Sequence, residues 1–211
     1  MYRAVNNDKI GNLIAYLAGK IPDLGITKLS KLMFLIDERA VKETGVPITW
    51  VRYVAWHLGP VPAEIYFQLA HGEIVVDKGQ VQELSKFVEA SPNQISTYDG
   101  LLIKPKGEFC DDDFSDYEME LIDDVIKTYG HKTASELVNL THSQGSLWAK
   151  VVEREGLKSQ FDNGIKRTEV TINLQPISMT DEQLIAYLAA NEGMQVKEYH
   201  YLQSVNRDSK G

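Results

Sequence analysis

Cysteine is almost absent from this chain: its 211 residues include one, Cys110. That excludes an intramolecular disulfide and any cysteine-based metal cluster. The lone thiol lies between Glu108 and the run Asp111 to Asp113, and neighbouring negative charge disfavours the reactive thiolate. Histidine is scarce too. His57, His71, His131, His142 and His200 are scattered, with no pair at helical ligand spacing, so no zinc site is expected. A glycine-rich phosphate loop is missing, as are Ser-x-x-Lys, Gly-x-Ser-x-Gly and His-Glu-x-x-His patterns. No metal, cofactor or catalytic activity is therefore expected. The polar stretch Met1 to Lys9 lacks the apolar core of a signal peptide, and no apolar run approaches membrane-spanning length. A reducing cytoplasm and no membrane partner are the corresponding expectations. Basic excess is lacking as well: 22 Lys and Arg stand against 30 Asp and Glu, a net charge of −8. Proteins that bind nucleic acid without sequence preference are usually basic, so no direct nucleic-acid contact is expected. The acidic balance favours solubility and suits a basic protein partner.

What is present describes a globular domain. Hydrophobic residues make up 43% and charged residues 25%, and such a length buries a core without staples. Ile10, Leu13, Ile14 and Leu17 predict a helix from Asp8 to Lys20. A second helix is expected from Thr27 as N-cap, with Leu29, Leu32, Met33, Ile36 and Ala40 as its stripe, stopped by Gly45 and Pro47. Ile48 to Leu58 reads as a strand, broken by Gly59-Pro60-Val61-Pro62 before a short helix carrying Ile65, Tyr66 and Leu69. Val81, Leu84, Phe87 and Val88 suggest a helix ending at Ser91-Pro92. Ile95 to Tyr98 and Leu101 to Lys104 flank Asp99-Gly100, a two-residue hairpin signal.

Three capping boxes follow: Ser115 with Glu118, Thr133 with Glu136, and Thr180 with Gln183. The first opens a helix with Leu121, Ile122 and Val125, closed by Gly130 at the C′ position. The second opens a shorter helix with Leu137 and Val138. The third carries Leu184, Ile185 and Leu188 as its apolar stripe. Asp162-Asn163-Gly164 is a turn, and alternating Val170, Ile172 and Leu174 give a strand. The expected fold is α+β, mainly α-helical with a small antiparallel sheet. Residues 1–155 form its core, 156–203 add a strand and helix packing on that core, and 204–211 form a disordered tail.

Several of these segments, in this order, resemble the Panacea (SocA-like) antitoxin family. Thr27-Lys28-Leu29-Ser30-Lys31-Leu32-Met33-Phe34 is similar to its opening Lys-Leu-x-Lys-Leu helix, and Gly45-Val46-Pro47-Ile48-Thr49 to its next segment. The most specific piece is Ala55-Trp56-His57-Leu58-Gly59-Pro60-Val61-Pro62-Ala63-Glu64-Ile65-Tyr66. Tyr129-Gly130 through Ser135-Glu136-Leu137 resembles a later helical block, which closes on Thr141-His142 and Trp148. Family members often carry Pro before that Trp, whereas Leu147 stands here. The resemblance spans Ile10 to Lys150. It implies a protein that neutralises a toxin encoded beside it by binding that toxin. The alternatives it implies are an adaptor that delivers the toxin to a protease, or a phage-associated regulatory protein.

Each singled-out residue has two readings. Gly59, Pro60 and Pro62 are expected to turn the chain. Trp56, with His57, either faces a partner or belongs to the core, since Trp is enriched in both. His142 is expected to cap the C-terminus of the helix before it, where a donor or cation is favoured, and Trp148 to be structural. Asp111, Asp112 and Asp113 either favour the following helix N-terminus and otherwise face water, or form a docking strip for a basic toxin. A transcriptional regulator would need a basic recognition helix, which is not evident.

Overall fold

The computed structural model of the protein describes residues 7–72, 84–92, 100–175 and 180–193. Its centre is set by Leu32 to Ile36, five consecutive apolar residues within a helical stretch. A helix apolar on every side has to be surrounded by other elements. In chain order the elements are α1 (Asn7–Lys20), α2 (Ile26–Thr44), β1 (Tyr53–Trp56), β2 (Gly59–Pro62) and α3 (Ala63–His71). A single 3₁₀ turn (Leu84–Lys86) follows, then β3 (Val88–Pro92), β4 (Leu101–Pro105), α4 (Asp116–Tyr129), α5 (Ala134–Thr141), α6 (Leu147–Arg154), α7 (Leu157–Asp162) and β5 (Thr171–Ile172). A last helix, α8, spans 181–193. α2 is the element the others enclose. Leu29, Leu32, Met33 and Ile36 are buried on it, and so are Lys31 and Asp37. The result is the mainly helical α+β fold expected, with two small antiparallel sheets among the described residues, ordered β2-β1-β5 and β3-β4. Among the described residues no helix is long and apolar enough to cross a membrane.

Two of the capping boxes start their helices as expected. Ser115 Oγ accepts from the Glu118 amide while Glu118 returns to the Ser115 amide, and Thr133 and Glu136 do the same. Thr180 and Gln183 bond reciprocally ahead of α8. α2, however, starts before Thr27. Leu24 and Gly25 are tied to β4, through Ile103 N to Leu24 O (2.9 Å) and a bridge from Gly25 to Leu102. Gly25, extended, is therefore the N-cap, with no side-chain cap bond, and Thr27 lies inside the first turn. Gly130 is also not the left-handed C′ residue expected: at φ −62° it stays right-handed.

The β segments depart furthest from expectation. Only Tyr53–Trp56 of Ile48 to Leu58 is strand, because the amides of Ile48 and Thr49 bond the Asp37 carboxylate instead of a neighbouring strand. Gly59-Pro60-Val61-Pro62 does not break the sheet; it is the partner of β1, registered Trp56↔Gly59, Ala55↔Pro60, Val54↔Val61 and Tyr53↔Pro62. The closing pair of a two-residue hairpin is hydrogen-bonded and bonding alternates along it. Both prolines thus fall at positions whose amides would point away from β1, on an edge strand where proline is tolerated. The helix expected up to Ser91 is instead one 3₁₀ turn followed by β3, whose partner is β4 in the register Pro92↔Leu101 to Val88↔Pro105. The turn expected at Asp99-Gly100 falls, through Asp99, outside the described residues. The strand expected over Ile95 to Tyr98 lies outside the described residues, as do Val81 and the tail 204–211.

Beyond Trp148 the sequence pattern missed α6 and α7. Their Val151, Val152, Leu157 and Phe161 join the main core, together with Ile172 of β5. α8 carries the expected stripe in the opposite sense: Leu184, Ile185 and Leu188 are 45%, 65% and 54% exposed.

Candidate functional site: the β1–β2 hairpin and its cleft

The hairpin turns at His57-Leu58 and is locked from three sides. Gly59 adopts φ +103°, a region that penalises any side chain. A Cβ there would also stand 2.9 Å from both Lys31 Cε and Thr141 Oγ1. Trp148 Nε1 donates to Trp56 O (2.9 Å). On the far side, Ala55 N donates to Val170 O (2.8 Å), His57 N to Lys166 O (2.9 Å), and Thr168 Oγ1 to Ala55 O (2.7 Å). The segment 166–172 thus extends the sheet beside β1, although only Thr171–Ile172 pairs as a strand.

The two lysines of α2's opening turns explain how distant segments meet here. Lys31 is fully buried and its Nζ donates to Pro60 O (2.8 Å). That carbonyl points away from β1 for the reason the proline nitrogens do. Lys28 Nζ donates to Gly130 O (2.7 Å) at the end of α4. His142, as expected, is the C-cap of α5, but it is no cation. Burial lowers its pKa to about 4, and the nearby charges of Lys31 and His57 add to that. It lies flat on Trp148, ring centroids 3.7 Å apart and planes 2° from parallel. Neutral at pH 7, it acts as a packing surface, and so weak a base is poorly matched to proton transfer there.

Sequence reading missed a second buried centre on α2. Asp37 accepts from Ile48 N (2.9 Å), Thr49 N (2.8 Å), Thr49 Oγ1 and Tyr53 Oη (2.8 Å). Burial raises its pKa to about 6, against the pull of the bonds from Thr49, Tyr53 and Ile48. This network fixes the loop leading into β1. A charged residue closing an otherwise apolar run was its only signal.

Trp56, for which the sequence allows either a partner-facing or a core role, is 7% exposed. Its indole donates to Thr168 O (3.2 Å), and its ring packs edge-on against Tyr66 and Phe67. The Arg167 guanidinium lies over it, 4.8 Å from the centroid. His57 is exposed at the turn. Asp111, Asp112 and Asp113 are exposed ahead of α4. They follow Cys110, itself exposed, whose amide donates to Asn12 Oδ1 on α1. The acidic run and the hairpin therefore hang from different elements.

Between α2's first turns and the hairpin lies a cleft of about 340 Å³, lined among others by Ile26, Thr27, Lys31, Trp56, His57, Leu58, Tyr66, Lys166 and Arg167. A larger hollow of about 520 Å³ opens beside Trp50, Tyr53 and Tyr187. Its cation, Arg52, is already neutralised by Glu64 and Glu169. The hairpin cleft retains its charge and is the stronger candidate site.

The pieces that meet around the hairpin are Lys28, Lys31, Trp56, Gly59, Pro60, Gly130, Thr141, His142 and Trp148. A family model described as the antitoxin SocA-like Panacea domain matches residues 29–149, more than half of the chain. The protein belongs to the Panacea family. No curated protein and no solved structure matches the chain. All but one of the residues just named lie inside the Panacea match, Lys28 falling one position before it. Lys166 and Arg167 lie beyond it, so the cleft has a wall inside the Panacea domain and a cationic rim outside it.

Proposed function

We propose that this Panacea protein is an antitoxin that acts in the cytoplasm, neutralising a toxin encoded beside it by direct contact and without catalysis. The Panacea match over residues 29–149 carries this reading. The site's chemistry is in keeping with it: a rigid hairpin, a neutral stacked histidine and a charged cleft are parts of a binding surface. The net charge of −8 and the exposed Asp111, Asp112 and Asp113 would steer a basic toxin toward the protein. The test is co-expression with the neighbouring toxin gene. Restored growth and a stable complex on purification are expected; the absence of both would defeat the reading.

A second reading, delivery of the toxin to a protease, is favoured by one observation. α8 is fixed near the C-terminal end of α2 by Gln183 Nε2 bonding Lys42 O (3.1 Å), and its outer face is apolar and exposed. The cleft lies at α2's other end, about 20 Å away at 1.5 Å per residue, so toxin and protease could be held at once. Faster loss of toxin when this protein is present, reversed by removing the protease, would distinguish delivery from occlusion.

A further inference from the structure

The cleft holds its charge unevenly. Its lining includes the cations Lys31, Lys166 and Arg167 and, among the described residues, no carboxylate. Some cations elsewhere face carboxylates, Lys9 with Glu118 and Arg39 with Glu43 and Asp124. Lys166 and Arg167 are exposed, and neither forms an ion pair among the described residues. Arg167 is also pre-positioned. Its guanidinium lies 4.8, 5.4 and 5.3 Å from the ring centroids of Trp56, Tyr66 and Phe67, three contacts that restrict its position at the mouth of the cleft. The N-terminal end of α2, with no acidic residue in its first turn and no side-chain cap, adds positive potential through Ile26 and Thr27 on the same wall. Leu58, Val61 and Tyr66 give the lining an apolar part, beside Ser30 and His57.

We propose that this cleft is the contact site for the protein partner, and that it takes from that partner a carboxylate side chain flanked by an apolar residue, the carboxylate held between Lys166 and Arg167. This rests on the antitoxin reading and names the surface and the chemistry it uses. A planar guanidinium matches a carboxylate through two parallel hydrogen bonds, and the apolar wall receives the neighbouring side chain. A nucleic-acid strand fits less well. It calls for cations spaced along a groove with open aromatic faces, whereas here two cations stand together, the Trp56 ring is covered, and the chain as a whole is acidic.

Two measurements test this. The first titrates the full-length protein with a hexapeptide of alternating leucine and glutamate, following the Trp56 indole and the Lys166 and Arg167 amides by NMR. A leucine–glutamine hexapeptide and a single-stranded RNA dodecamer serve as comparisons. The glutamate peptide should shift these signals and the glutamine peptide should not. Lys166→Glu with Arg167→Glu should abolish the shift while the protein remains folded by circular dichroism, the lost ring contacts of Arg167 lowering the melting temperature slightly. Equal response to both peptides, response to neither, or response to the RNA alone would overturn the proposal, the last in favour of a phosphate site. The second measures capture of the neighbouring toxin, which the double variant should weaken at least about tenfold. Undiminished capture by the variant overturns the cleft proposal and leaves the antitoxin reading standing. If the wild type captures no toxin, the antitoxin reading fails and the peptide titration alone decides the cleft.

Discussion

Asp37 makes a prediction whose sign is opposite to the usual one for a carboxylate. Its folded pKa is about 6 against an ordinary 3.8, chiefly because the group is wholly buried. The folded state therefore holds this proton more tightly than the unfolded chain does. The stability it contributes is fully present below about pH 3.8 and is lost as pH rises through about 6. A shift of about two units corresponds to roughly 3 kcal/mol. Asp37→Asn removes the titration while its amide oxygen still accepts from Ile48 and Thr49. The variant should therefore gain stability relative to wild type by up to about 3 kcal/mol between pH 4 and pH 7. Only the difference is diagnostic, because His142 works the other way in an overlapping window. Its folded pKa is depressed to about 4, so the stability it contributes is present above about pH 6.5 and is lost as pH falls through 4. Urea unfolding of both proteins followed by circular dichroism measures the difference. A difference that stays flat, or falls, with rising pH would refute the assignment of a burial-dominated Asp37.

Four further outcomes are expected. Asp37→Ala should destabilise by about 3 kcal/mol or more at pH 7, since two buried amides lose their acceptor at about 1–3 kcal/mol each; equilibrium unfolding measures it. His142→Phe keeps a flat ring against Trp148 and should lose the wild type's weakening between pH 6.5 and 4, seen as a flatter melting temperature over that range. Gly59→Ala combines a positive φ with contact against Lys31 and Thr141 and should cost about 1–3 kcal/mol, read as a lowered melting temperature. Asp111→Lys with Asp113→Lys should slow toxin association and reduce its salt dependence with little change in dissociation, measured by surface-coupled kinetics at two ionic strengths; an unchanged association rate removes the steering role.

The helices were legible in the sequence because their signals are local. A capping box binds residues three apart, and the Leu121, Ile122 and Val125 spacing reports one face of one helix. The strands were not, because their pairing is settled by partners elsewhere. Nothing within Val81 to Ser91 says that Val88 to Pro92 will meet Leu101 to Pro105. Ile48 to Arg52, rich in strand-formers, is held out of the sheet by a carboxylate on α2. Proline at 60 and 62 read as a break because its compatibility with an edge depends on register, which the sequence does not state. At the site, the hairpin motif and Trp148 were legible as markers. The bond from Lys31 to Pro60 was not, since a lysine in a helix is ordinarily read as solvent-facing, and Arg167 belongs to no motif at all.

That division bears on how one scaffold could serve different partners. The marker residues around the hairpin, all within the Panacea match, face one another: Gly59 packs on Lys31 and Thr141, Trp148 bonds the Trp56 carbonyl, and His142 stacks on Trp148. Such contacts leave little room for change, because each substitution strands a buried group or closes a tight space. Lys166 and Arg167 are tied to the hairpin through backbone: Lys166 O accepts from His57, and Thr168 O from the Trp56 indole. Their side chains are therefore replaceable without disturbing those bonds. If the rim does set partner chemistry, Lys166→Glu with Arg167→Glu should remove toxin capture at temperatures where circular dichroism shows the protein folded, the lost contact of Arg167 with the Trp56 ring costing about 0.5–1 kcal/mol. Gly59→Ala should do the reverse at permissive temperature, lowering stability but keeping capture. Loss of capture in Gly59→Ala while it remains folded would show that the hairpin's own shape, not the charged rim, is what the partner reads.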